Sequence, residues 1–129
     1  MKAALAALAL LCGLAAHAAG PRAAFVLQES ALAGFQFHAG REVWPGLAVG
    51  DVLELVREPA NPHDARAVRV LWRGHMLGYV PRRENAAVAR FMDRGHTLEA
   101  RIVRLADGRD PWARVRFEIL LPLAGEVAR

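Results

Sequence analysis

The sequence holds one cysteine, Cys12, one lysine, Lys2, and one tyrosine, Tyr79, in 129 residues. Beyond position 12 there is therefore neither a thiol nor a primary side-chain amine. The first absence excludes disulfides, thiolate nucleophiles and cysteine-ligated zinc or iron from the rest of the chain. The second excludes Schiff-base chemistry and the glycine-rich phosphate loop that ends in lysine. Neither G-x-S-x-G nor H-E-x-x-H occurs. The histidines stand at 17, 38, 63, 75 and 96, and no two of them are three or four residues apart. A helical metal pair is thus missing, and a lone histidine in a turn, such as His63, is ordinarily a solvated surface residue. No enzyme activity, metal or cofactor is expected.

Long apolar runs are also missing, with one exception. Lys2 gives a short positive start, Ala3 to Leu14 is uninterrupted apolar sequence, and Ala16-His17-Ala18 is a small-x-small cleavage pattern. This run falls short of the roughly 20 residues that a spanning helix needs. Residues 1–18 are therefore expected to be a cleaved secretory signal, and the chain is expected to be exported to the periplasm or secreted from a bacterium. Leu11 precedes Cys12 where a lipoprotein site wants a small side chain. Loss of residues 1–18 leaves 111 residues, enough for one domain that buries roughly two-thirds of its unfolded surface. That domain is placed at 22–122, with a loose tail at 123–129.

Every cation after Lys2 is arginine, sixteen of them against thirteen acids, a net charge of +3 for the remainder. Arginine suits bidentate phosphate contacts and stacking on bases. An alanine-, glycine- and arginine-rich chain is equally what biased codon usage gives, so charge alone decides little.

The periodicity predicts strands with one helix. Strands are expected at 25–27, 35–38, 51–58, 67–72, 75–80, 97–105 and 112–121, the short apolar or β-branched runs between turn signals. Arg73-Gly74 predicts a tight hairpin joining 67–72 to 75–80. In the last strand Val115, Phe117, Ile119 and Leu121 alternate with Arg114, Arg116 and Glu118, the pattern of one buried face. From 83 to 94 the period lengthens, with Val88, Phe91 and Met92 three and four apart. A helix is expected there, with Asn85 or the preceding turn able to cap its start and Gly95 to stop its end. So many short strands in so short a chain predict a curved β-barrel, because an open sheet would leave long unpaired edges.

The most distinctive polar segment is Pro59-Ala60-Asn61-Pro62-His63-Asp64, which lies between two of these strands. Pro62 fixes its own φ and drives Asn61 toward extended geometry, and Asn and Asp side chains commonly bond nearby turn amides. On residue chemistry alone the loop is either a self-bonded turn or a ligand site.

Three segments together, Ala33-Gly34-Phe35-Gln36-Phe37-His38-Ala39-Gly40, Leu55 to Val68 with its N-P-x-D-x-x-A-V string, and Leu77-Gly78-Tyr79-Val80-Pro81-Arg82, resemble the HIRAN domain family. The resemblance runs from about Leu32 to Leu105 in the family's order and spacing. It implies a mainly β fold, a small OB-like or SH3-like β-barrel of six to seven strands with one or two short helices. It also implies a non-catalytic module that receives the free 3′ end of single-stranded DNA. By the same resemblance Phe37 stacks on a base, His38 stands beside it, Asn61, His63 and Asp64 form the end pocket, and Asp64 takes the terminal hydroxyl. Tyr79 and Arg82 serve the backbone. Gln36 stands where the family places a phosphate-binding arginine, and His63 where it places a tyrosine; both departures predict weaker binding. Export predicts an alternative, an envelope protein using the same barrel for a protein or glycan.

Overall fold

The computed structural model describes residues 23–123. The signal expected at 1–18, and the tail expected at 123–129 apart from Leu123, lie outside the described residues. Six strands follow in order: β1 (Ala24–Ala31), β2 (Val52–Arg57), β3 (Val68–Trp72), β4 (His75–Tyr79), β5 (Glu99–Leu105) and β6 (Val115–Pro122). Two short helices accompany them, α1 (Gly40–Val43) and α2 (Ala86–Asp93). All pairings are antiparallel, and the sheet order is β1-β6-β5-β2-β3-β4. The mainly β, OB-like expectation holds.

Alternation dictates which side of each strand faces inward. Val115, Phe117 and Ile119 of β6 are fully buried, as are Val68 and Val70 of β3, and Leu53 and Ile102 join them from β2 and β5. Each such side chain contributes roughly 1.5–3 kcal/mol by leaving water. The hairpin between β3 and β4 turns on Arg73 and Gly74, at φ 46 and 81. Two left-handed central residues make the primed turn that matches strand twist.

The sheet curls because single extra residues are inserted into it. The register slips at Leu27 in β1, at Leu77 in β4 and at Val103 in β5, and each such bulge bends its strand and adds twist. The ladder does not close continuously around the barrel. Just past β1, one isolated bridge joins its continuation to β4, where Ala33 and Tyr79 exchange both N–H to carbonyl hydrogen bonds at 2.9 Å. Gly78 makes this approach possible, since a Cβ there would overlap the Ala33 carbonyl oxygen.

The strand expected at 35–38 is not formed. Phe35–Phe37 is a 3-10 turn that begins at left-handed Gly34. In a strand Phe35 and Phe37 would share a face, yet Phe35 is 3% exposed and Phe37 78%. The curl lets the Phe35 ring lie against Gly40, where any Cβ would strike it. The helix expected from 83 begins later, at Ala86, after a separate 3-10 turn at Arg82–Glu84. Its end is as expected: Gly95 N–H donates to Met92 O and His96 N–H to Phe91 O, the paired bonds of a Schellman stop.

Replacing Gly78 by alanine is expected to lower stability by about 1–3 kcal/mol, because the methyl group forces the two sheet edges apart. Gly108→Ala, with nothing within 4 Å of the added methyl, is expected to be near neutral. Urea midpoints of the two variants check this, and equal midpoints would remove the closing role given to Gly78.

Candidate functional site

The loop between β2 and β3 is held from within and from outside. Asn61 Oδ1 accepts from the backbone N–H of His63 at 2.8 Å and of Asp64 at 3.2 Å. Asp64 Oδ1 accepts from Arg66 N–H at 2.9 Å. From β2, Arg57 donates to the carbonyls of Ala67 and Ala65, and its fork also grips Asp93 of α2 at 2.8 and 3.1 Å. The turn is therefore fixed before any ligand arrives. The structure bears out the self-bonding offered by residue chemistry, and it does so without filling the space beside the loop.

That space is a cavity of about 300 Å³. Asn61, His63, Asp64, Tyr79 and Arg82 all line it, so the N-P-H-D loop and the segment at 78–82 meet there. Ala33, at the closing bridge, forms another part of its wall. His38 stands beside them, its ring edge-on to Tyr79 with centroids 5.9 Å apart. Gln36 is elsewhere, on the wall of a different cavity. Phe37 lines neither, although its ring and that of His38 both flank Gly34.

Two residues that the sequence did not single out as part of the site organise it. Asn85 is 1% exposed, and its Nδ2 donates to Asp64 Oδ2 at 2.7 Å. It occupies the N-cap position of α2 but makes no side-chain cap bond; the amide is spent on the carboxylate instead, so of the two expected caps Asn85's side chain supplies none. Glu58 is the second. Its Oε1 accepts from Asn61 Nδ2 at 2.8 Å, both its oxygens lie 3.3 Å from the Tyr79 hydroxyl, and Arg69 approaches at 3.5 Å. Glu58 adjoins Pro59, but nothing in the local pattern distinguishes it from a solvated strand-end acid.

The wall carrying Arg82 is tied down separately. Ser30, fully buried, donates to Glu84 Oε2 at 2.7 Å, and Gln28 donates to Ser30 Oγ and to the Glu84 carbonyl. The Arg82–Glu84 turn is thereby fastened to β1. Arg82 itself is exposed and forms no ion pair among the described residues.

A family model described as HIRAN domain matches residues 25–124. The chain belongs to the HIRAN domain family. The Fanconi-associated nuclease 1 homolog of Oryza sativa subsp. japonica is 33% identical over 78 residues, covering 57% of this chain and 8% of that protein. This chain therefore spans under a tenth of the curated relative it matches. A Lactobacillus plantarum protein of known crystal structure is 26% identical with a TM-score of 0.66, over 78% of this chain and 96% of that one. The HIRAN domain of human HLTF superposes with a TM-score of 0.58 over 72% of each chain, at 19% identity, which is a likeness of fold.

Burial raises the pKa of the Tyr79 hydroxyl above its ordinary value, and the neighbouring Glu58 carboxylate pushes it the same way by charge and by hydrogen bonding. Arg69 and Asn61 pull it back in part. Because this HIRAN domain has one tyrosine, ultraviolet titration reads Tyr79 alone. Its midpoint is expected above 10, and Glu58→Gln is expected to move it part of the way down, burial remaining. The associated stability is present below the unfolded tyrosine value near pH 10 and is lost as pH rises through the folded value. Asn85→Ala is expected to cost about 1–3 kcal/mol, since it leaves a half-buried carboxylate oxygen without its donor. Thermal or urea unfolding measures that loss.

Proposed function

We propose that this HIRAN domain is a non-catalytic nucleic-acid-binding module that holds single-stranded DNA by its free 3′ end. The observation that carries the reading is the Asp64 carboxylate, fixed by Asn85 and Arg66 N–H beside an open cavity. An ionised carboxylate accepts at about four lone-pair positions, and two of them are used. A terminal 3′-hydroxyl is a donor suited to the remainder, whereas a chain continuing past that point, or ending in phosphate, brings bulk or negative charge against the same oxygens. The cavity volume lies at the small end of the roughly 300–1,000 Å³ range of small-ligand sites, fitting a terminal nucleotide.

The surrounding groups supply binding that does not read sequence. The exposed ring of His63 stands beside the carboxylate, and the exposed Phe37 presents a second ring next to His38. Stacking adds roughly 1–3 kcal/mol per base for any base. Arg82 is free to meet a phosphate. His38 packs edge to face against Tyr79, and this contact supports counting it with the proposed site.

Fluorescence anisotropy with matched oligonucleotides ending in 3′-hydroxyl or 3′-phosphate tests the reading. The hydroxyl end is expected to bind about tenfold more tightly, the size of a hydrogen bond to a charged group, and Asp64→Asn is expected to erase the difference. Equal affinities in the unaltered protein would end the 3′-end proposal. With the site we also propose export, resting on the signal read in residues 1–18. Mass spectrometry of the protein from fractionated cells is expected to show a mature start near Ala19, and an intact Met1 in the cytoplasm would refute it.

A further inference from the structure

A second, larger cavity, about 500 Å³, opens between the 35–45 segment and the 108–114 turn that precedes β6. Phe35, Trp44, Gln36, Arg41, Arg109 and Arg114 contribute to its walls, and no acidic side chain lines it. Three guanidinium groups around one space repel one another unless an anion enters.

Arg114 is the built part of this cleft. Its Cζ lies 3.9 Å from the Trp44 ring centroid and 5.5 Å from that of Phe35, and these two rings meet edge to face at 5.9 Å. Nη1 donates to the Gly108 carbonyl at 2.7 Å, which leaves only a 3.4 Å contact with the largely exposed Asp107 to balance its charge. Arg114 Nε is buried and has no acceptor among the described residues. Arg41 and Arg109 are exposed and form no ion pair among the described residues. An aromatic-backed cation with two exposed ones beside it matches a phosphate carrying a planar base, since guanidinium forks bind phosphate and stack on rings.

The two cavities hang on one turn. Ala33 lines the first, and Phe35 and Gln36 line the second, with exposed Phe37 beside them. We propose that the Arg41–Arg109–Arg114 cleft is a phosphodiester subsite that holds the single strand upstream of its 3′ end. This inference rests on the reading of the first cavity as the end pocket. Its phosphate chemistry would equally fit a free nucleotide, and strand length separates the two sources.

The test uses the whole protein and two DNA probes, a dinucleotide and a 12-nucleotide strand, both ending in 3′-hydroxyl. Arg41→Gln with Arg109→Gln alters two exposed side chains, so folding is not at stake. The double variant is expected to bind the 12-nucleotide strand about three- to tenfold more weakly and to lower its log–log salt slope by about 1.4, or about 0.7 per lost phosphate contact. Dinucleotide affinity and the preference for 3′-hydroxyl over 3′-phosphate are expected to stay unchanged. Arg90→Gln, on the exposed face of α2, is the control and is expected to change neither quantity. Unchanged affinity and slope in the double variant, or an equal loss in the control, would overturn the subsite. Thymidine 5′-monophosphate binding that depends on Arg41 and Arg109 while the strand's slope stays fixed would overturn the strand as its source. Failure of the end pocket reads out separately, as loss of 3′-hydroxyl preference in the unaltered protein.

Discussion

The paired hydrogen bonds between Ala33 and Tyr79 hold together both the fold and the site. They join the two edges of a sheet whose other five contacts run in sequence from β1 to β4. Without them nothing would tie the end of β1 to β4, and Tyr79 would lose its fixed place on the wall of the smaller cavity. The bridge depends in turn on Gly78, because only hydrogen fits between it and the Ala33 carbonyl. The first residue of the G-Y-V-P-R segment thus acts through geometry, while Tyr79 and Arg82 act through chemistry.

Polar side chains around the site fasten one another before a ligand binds. Asn61 secures the loop amides and reaches Glu58; Asn85, buried under α2, secures Asp64; Arg57 locks the loop to α2 through Asp93. Burying such groups is costly unless each finds a partner, and here the partners come from three separate elements. The result is preorganisation: two hydrogen bonds hold the carboxylate in place, so little ordering remains to be done if a ligand binds there. The larger cleft is built differently, with Arg114 clamped between rings and its charge incompletely balanced.

Much of this was legible in the sequence where local rules govern. The alternation of Val115, Phe117 and Ile119, the Arg73-Gly74 turn and the Gly95 stop depend on neighbours within a few residues, and the structure follows them. The N-P-H-D loop was recognisable as a turn for the same reason. Phe35 to His38 misled because an apolar pair at spacing two reads as a strand, whereas left-handed Gly34 and the close approach of Gly40 curl the segment. Asn85 misled because a cap position explains an asparagine locally, and its actual partner, Asp64, is twenty-one residues away. Glu58 and Arg114 gave no signal, since Glu58 takes part of its role from Tyr79 and Arg69 and Arg114 its aromatic backing from Phe35 and Trp44, contacts outside the local window.

By itself the sequence determined the class of the fold, six of the strands and most of the turns, and the lack of any thiol or side-chain amine beyond position 12. Those properties follow from periodicity, backbone preference and residue type, all of which are local; the pairing of the N-P-H-D loop with residues 78–82 came only from the resemblance to the HIRAN family. Tertiary structure alone decided that Asn61, His63, Asp64, Tyr79 and Arg82 share a wall, that Gln36 faces a second cleft with three arginines, and that Phe37 projects into solvent. Each of these is set by where the curled sheet brings its two edges together, a long-range closure that no window of the chain contains.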